Sequence, residues 1–294
     1  MNLVSVASRQ RLGLHTPLRY PGGKSKLAGF FADVITESGV RDVTYVEPFA
    51  GGAGAGLSLL IGGRVERVVI NDLDIAVNSF WSSLLSENEE FARLVETVPL
   101  NLNEWARQKA IYRAADDRDP LALGFAFFYL NRTNRSGVLH AGVIGGKAQA
   151  GTYRMDARFN RAELARRIRL LGRFADQIDV QFTDGRKCVK RYAVEPNTFL
   201  YVDPPYVAAG GSLYLNSFDE REHGVLAESM NANARGTWLL TYDDTQLIRD
   251  LYPERGIFDF ELHYSAHRVG SARELLIVSD NLRSVIDRRR GLAA

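Results

Sequence analysis

A chain of 294 residues that is 46% hydrophobic and 24% charged has the balance of a globular protein with a sizeable core. One cysteine, Cys188, excludes a disulfide framework within the chain, and five histidines without ligand spacing give no reason to expect a metal. No stretch approaches the roughly 20 apolar residues of a membrane span, and the N-terminus lacks the apolar core of a signal peptide, so no membrane association and a cytoplasmic location are expected.

The net charge of +2 is unevenly spread. Between residues 101 and 190, 17 Lys or Arg stand against 9 Asp or Glu, an excess of eight, and the rest of the chain carries about −6. A polyanionic partner for the middle segment accounts for this, and so does a solvated helical face.

In chain order, residues 43–47 read as a strand that runs into the glycine cluster 51–56 and a helical stretch 57–61. Residues 67–70 read as a second strand, followed by an acidic turn at Asp72 and Asp74 and a helix over 75–85. From residue 87 to 176 the alternation stops. This stretch is rich in Arg, Asn and aromatic residues, with helical patterns over 121–130 and 162–174 and a glycine-rich loop or hairpin over 137–151. Strands then resume at 178–182, 198–202 and 237–241, with a closing pair at 258–264 and 274–279. Strands alternating with helices predict an α/β fold, a mostly parallel, doubly wound, Rossmann-like sheet. Residues 1–86 and 177–294 would build it, and 87–176 would form an inserted, mostly helical subdomain.

Such sheets bind ligands beyond the carboxyl ends of their strands, so the residues there are the ones to weigh. After the first strand stands Glu47-Pro48-Phe49-Ala50-Gly51-Gly52-Ala53-Gly54, where glycine lets backbone turn tightly and approach a ligand. Alone it is a tight turn. After the second strand stands Asn71-Asp72, and an acid in this place commonly holds ribose hydroxyls. Alone, Asp72 is equally a helix N-cap. After the fourth strand stands Asp203-Pro204-Pro205-Tyr206. Two prolines fix the backbone, an aspartate adds an acceptor and a tyrosine offers a flat face, a set suited to an amino group on a stacked ring. Arg19-Tyr20-Pro21-Gly22-Gly23-Lys24 reads in isolation as an anion-binding turn.

These motifs, with Phe128-Tyr129-Leu130-Asn131-Arg132-Thr133-Asn134-Arg135-Ser136-Gly137 and Glu274-Leu275-Leu276-Ile277, stand in the order of the Dam-type adenine-N6 DNA methyltransferases, which the chain resembles over roughly residues 16 to 280. The resemblance implies a methyltransferase sheet, S-adenosylmethionine as cofactor and double-stranded DNA as partner, with residues 87–176 as the DNA-recognition subdomain. It implies cofactor contacts from Tyr20, Lys24, Phe49, Gly51, Asp72 and Asp203, and a catalytic set of Asp203, Pro204, Pro205 and Tyr206. Asp184 sits where such folds contact the cofactor's adenine. Asn131, Arg132, Asn134, Arg135, Arg154 and Arg158 are suited to DNA phosphates and base edges. The chain departs from the family at Ala53, where glycine is common. A cognate restriction or defence partner is compatible with this reading, and the sequence leaves the oligomeric state and target site open. Rival readings are methylation of adenine N6 in RNA or cytosine N4 in DNA, a catalytically silent nucleic-acid-binding relative, and a nucleotide-dependent oxidoreductase, which lacks its full glycine fingerprint here.

Overall fold

The computed structural model describes residues 3–19, 24–207, 218–264 and 270–290. Its strands are β1 (Thr44–Glu47), β2 (Arg67–Asn71), β3 (Ile178–Gln181), β4 (Thr198–Val202), β5 (Trp238–Asp243), β6 (Gly256–Tyr264) and β7 (Gly270–Val278). They form one sheet in the order β3-β2-β1-β4-β5-β7-β6. The first five are parallel, and β7 runs antiparallel between β5 and β6. The expected mostly parallel α/β sheet is present, and the closing pair enters it with its later strand on the inside.

Side chains alternate across a strand, and this sheet is apolar on both faces. Tyr45, Val68, Phe199, Tyr201, Leu239 and Leu276 enter one core, while Val46, Val69, Leu200, Val202, Leu240 and Ile277 enter the other. Covering the first face are α1 (Ala28–Ser38), α2 (Gly54–Ile61) and α3 (Ile75–Ser86), whose Phe31, Leu57, Phe80 and Trp81 are buried.

Residues 87–176 hold four α-helices: α4 (Asn88–Thr97), α5 (Leu102–Ala114), α6 (Pro120–Thr133) and α7 (Arg161–Gly172). Their apolar side chains, among them Phe91, Phe128 and Ile168, join the core of that first face rather than forming one of their own. The other face is covered by α8 (Gly185–Tyr192), α9 (Glu220–Ala232) and α10 (Gln246–Leu251), through Val189, Leu226, Met230 and Ile248. The final helix, α11 (Asp280–Asp287), returns to the first face through Leu282 and Ile286. Among the described residues no helix is long and apolar enough to cross a membrane.

Two expectations need adjusting. The glycine cluster 51–56 is half loop and half helix: α2 begins at Gly54. A Cβ on Gly54 would lie 1.9 Å from Ser25 Oγ, and one on Gly56 would lie 3.1 Å from the Tyr45 ring and Val68, so these glycines serve packing. The cap of α3 is Asp74, which accepts from the backbone N–H of Ala76 and Val77, and not Asp72.

One glycine joins residues 87–176 to the sheet layer. A Cβ on Gly124 in α6 would stand 2.6 Å from both the Phe80 nitrogen and the Ser79 oxygen in α3. Backbone cannot yield as a side chain does, so α6 would have to move outward. Alanine favours a helix over glycine by about 1 kcal/mol, while overpacking a core costs about 1–3 kcal/mol. Gly124→Ala is therefore expected to lower stability despite its better helix propensity, as read by urea denaturation. A rise in the midpoint would show that the contact is slack.

Candidate active site

Helices joining β1, β2 and β3 lie on one face of the sheet and those joining β3, β4 and β5 on the other, so the winding reverses between β1 and β4. A crevice opens at the carboxyl ends of strands at such a point. Here it is a cavity of about 820 Å³ whose lining includes Lys24, Phe49, Gly54, Asp72, Asp184 and Asp203. Five segments far apart in sequence thus converge on one space.

Its floor is set by Asn71. This fully buried side chain donates to Pro48 O (2.8 Å) and Thr183 O (3.0 Å) and accepts from the Thr183 backbone N–H (3.0 Å). It staples the loops after β1 and β3 to the end of β2. Next to it Asp72 accepts from the N–H groups of Gly51 (2.8 Å) and Asp74 (3.0 Å), while burial pushes its carboxyl up to about 6. The Gly51 carbonyl accepts from the Trp81 indole at 2.9 Å, so both backbone groups of this glycine are used internally. Ala53 takes a left-handed conformation (φ 45°, ψ 29°) as N-cap of α2. That is the conformation glycine tolerates best, which gives the family's frequent glycine a physical reason.

At the far side of the cavity Phe49 packs edge-on to Phe218, with ring centroids 5.6 Å apart. A Cβ on Gly185 would fall 2.3 Å from the Phe49 ring, so α8 must start with glycine for the ring to sit there. Asp184 caps α8 through the Arg186 N–H (2.8 Å), and the Arg186 guanidinium holds its carboxyl below the usual carboxylate range.

Asp203 follows β4 and is half-buried, with Pro204 and Pro205 buried behind it. Its Oδ1 accepts from Thr241 Oγ1 (2.7 Å) and Tyr206 Oη (3.2 Å), and both oxygens accept from Lys24 Nζ (3.2 Å). Tyr206 also donates to Glu274 Oε2 at 2.8 Å, and Lys24 lies 3.5 Å from that oxygen. Glu274, on β7 and only 4% exposed, had no role in the sequence reading beyond its place in a motif. Its signal was an acid inside the apolar strand Glu274-Leu275-Leu276-Ile277. Lys24 bridges the two carboxylates in this structure, whereas the resemblance directs it to the cofactor.

The residues expected to touch DNA divide into two groups. Arg135, Arg154 and Arg158 are exposed. Asn131 and Asn134 are buried, and their amides are used inside the chain. Asn131 accepts from the Arg19 N–H (2.8 Å) and donates to Arg19 O (2.8 Å), while Asn134 accepts from the Trp105 indole (2.8 Å) and donates to Leu139 O (2.9 Å). Both amides shape the turn after α6, because a buried amide cannot be left unpaired. Arg132 lines the cavity wall. Tyr20 lies outside the described residues. Among the described residues no group of three or more His, Cys, Asp or Glu could hold a metal ion.

Glu47 closes the site from below. Burial pushes its carboxyl up to about 7, against a bond of 3.0 Å from the Gly56 N–H that favours the charged form. The folded chain keeps a proton here that the unfolded chain releases around 4.5. Stability from this group is therefore complete below about pH 4.5 and is lost as pH rises through about 7. Glu47→Gln keeps size and acceptor and removes the charge. It is expected to raise stability above about pH 7 by up to about 3 kcal/mol, with wild-type and variant melting curves converging below about pH 4.5. A gap independent of pH would show that Glu47 is not held protonated.

Comparison with known proteins adds three likenesses. The chain is 23% identical over 225 residues to the modification methylase StsI of Streptococcus sanguinis, covering 72% of this chain and 31% of that one, so it spans about a third of that relative's length. It is 22% identical over 243 residues to the type II methyltransferase M.CviBI of Paramecium bursaria Chlorella virus NC1A, covering 80% of this chain and 85% of that one. Among solved structures, the rRNA methyltransferase aviRa from Streptomyces viridochromogenes aligns over 90% of this chain and 89% of that chain, at 14% identity and a TM-score of 0.35. The family model of the D12 class N6 adenine-specific DNA methyltransferases matches residues 20–270, and the chain belongs to that family.

Proposed function

We propose that the protein transfers the methyl group of S-adenosylmethionine to the N6 amino group of adenine in double-stranded DNA, within a short specific sequence. The observation that carries this reading is Asp203, an acceptor held at the cavity by Thr241 and Lys24, with two buried prolines fixing the backbone behind it.

The residues fit the cofactor. Asp72 and Asp184 are acceptors at neighbouring strand ends, suited to ribose hydroxyls and to the adenine edge. Phe49 supplies an apolar wall. Bound there, the cofactor supplies an electrophilic methyl on a sulfonium, chemistry that needs an aligned nucleophile. The chain's own groups provide the alignment. The Asp203 carboxylate and the Pro204 carbonyl accept hydrogen bonds from the target amino group, which turns the nitrogen lone pair out of conjugation and toward the methyl. A base inside a duplex cannot reach this space, so the target adenine leaves the stack, at a cost of a few kcal/mol. Stacking on Tyr206 offsets this by about 1–3 kcal/mol. Fixed acceptors then stabilise the positive charge developing on nitrogen, and Asp203 is the group at hand for the proton it sheds.

Glu274 acts as a positioning residue. Lys24 alone against Asp203 would saturate the acceptor that the amino group needs. By sharing Lys24 and taking the Tyr206 proton donor, Glu274 leaves part of the Asp203 lone-pair capacity for substrate. Exposed Arg135, Arg154 and Arg158 supply contacts to the DNA backbone.

Incubation with S-adenosylmethionine and unmodified bacterial DNA, followed by nucleoside mass spectrometry, is expected to give N6-methyladenine. Exclusive N4-methylcytosine, or product only with RNA, would overturn the substrate assignment. Asp203→Ala is expected to lower kcat by about 10²–10³-fold or more with the circular-dichroism spectrum intact, as for loss of a fixed acceptor. Glu274→Gln is expected to lower kcat with little change in KM and to shift the acidic limb of the kcat–pH profile. An equal loss in thermal stability with an unmoved profile would make Glu274 merely structural.

A further inference from the structure

Opposite the acidic half of the cavity lies a cluster of guanidinium groups with little compensation inside the chain. Arg132, near the end of α6, has a buried Nε with no hydrogen-bond partner. Arg19 donates from Nη1 to Asn134 O at 3.2 Å, a neutral acceptor. Arg167 pairs with Glu163 at 2.7 Å and donates to Thr16 O at 3.1 Å. Arg158, exposed, stands over the Tyr153 ring at 5.9 Å. Among the described residues Glu163 is the one carboxylate paired with any of the four. The groups sense one another: burial first, then Arg19, Arg167 and Arg158, push Arg132 down to about 9, and burial and Arg158 lower Arg19.

This arrangement is built. The two bonds between the Asn131 amide and the Arg19 backbone fix the segment before Lys24 against the end of α6, which sets Arg19 and Arg132 side by side. Gly137 (φ 75°) makes room, since a Cβ there would stand 2.5 Å from Arg19 O. Arginine keeps its charge in proteins, and a buried charge without a counter-charge is costly. Arg19, Arg132 and Arg167 all line the cavity, so a counter-charge can reach them from outside.

We propose that Arg132, Arg19 and Arg158 form a clamp for successive backbone phosphates of the nucleic-acid substrate, seated beside the space that takes the target base. This rests on the reading of the protein as a DNA methyltransferase and adds where the DNA backbone is held. The guanidinium fork matches phosphate oxygens in pairs. A cofactor carboxylate offers the same anionic chemistry but only one charge, too few for three guanidiniums that have no carboxylate partner here. Successive phosphates bring enough. Held there, the backbone next to the target nucleotide is anchored while the base leaves the stack.

The test measures binding of a short DNA duplex against salt concentration, and S-adenosylmethionine binding by calorimetry, for wild type, Arg132→Met, Arg132→Lys and Arg158→Met. Methionine keeps much of the apolar stem at 132, and position 158 is exposed, so that variant does not depend on a core site refolding. Each Met variant is expected to reduce the slope of log K against log salt by about one and leave cofactor affinity within about twofold. Arg132→Lys is expected to restore the slope while recovering only part of the affinity, having lost the fork. Cofactor affinity falling at an unchanged slope would assign the cluster to the cofactor carboxylate and overturn the clamp. Unchanged slopes and unchanged cofactor affinity would make the cluster structural and overturn it too. Failure of the DNA reading shows separately: wild type itself would then bind duplex DNA with no salt dependence and methylate none.

Discussion

Asp203 and Glu274 share the buried ammonium of Lys24, and much of the site is arranged around that contact. Lys24 is 7% exposed and lies 3.2 Å from Asp203 and 3.5 Å from Glu274. Carboxylates leave water only if something answers their charge. Lys24 answers for both, and so the short helical turn beginning at residue 24, the end of β4 and the antiparallel strand β7 are drawn to one point. Tyr206 completes the set: its one hydroxyl proton is within reach of both acids, with Glu274 the nearer at 2.8 Å and Asp203 at 3.2 Å. Acceptors thus gather at the point where an amino group would enter the cavity.

The opposite end of the same cavity has the reverse imbalance. Arg19 and Arg132, which line it, pair with no carboxylate among the described residues, and Asn131 ties the Arg19 backbone to the end of α6, which carries Arg132. The cavity is thus acceptor-rich where β1, β2 and β4 end and donor-rich where the helices of residues 87–176 meet the N-terminal segment. A substrate with an amino group on a base and a charge on its backbone is complementary to both ends. The asymmetry also gives the charge excess of residues 101–190 a spatial meaning, although several of its arginines, such as Arg166 and Arg169, are paired with Glu163, Glu89 and Glu96 on the helix surface.

Between the two ends, small residues and one amide control the geometry. Asn71 ties the loops after β1 and β3 together, Gly185 admits the Phe49 ring, and Gly54 lets α2 approach Ser25. Ala53 holds a left-handed backbone in the turn before α2, where a residue with a Cβ is strained. Packing therefore fixes where the acceptors point, and the acids themselves, Asp72 and Glu47, bear the consequence of burial as raised proton affinity.

The sequence by itself determined the sheet, because continuous apolar runs such as Phe199-Leu200-Tyr201-Val202 bury on both faces. It also determined which strand ends meet at the cavity, since Asp203-Pro204-Pro205-Tyr206 and Asn71-Asp72 are local patterns with local reasons. The tertiary structure alone decided the rest. Glu274 gained its role from strand order, which places β7 beside β5 and turns an acid in an apolar strand toward Tyr206 and Lys24. Asn131 and Asn134 read as DNA contacts because amides read bases, and in the fold their buried amides pair with the Arg19 backbone, the Trp105 indole and the Leu139 carbonyl. Residues 87–176 read as an inserted, mostly helical subdomain because the strand pattern stops there, and in the fold Gly124 lets α6 lie against α3 with aromatic side chains of both in one core. In each case the deciding quantity is what surrounds a side chain in space, which a linear pattern does not contain.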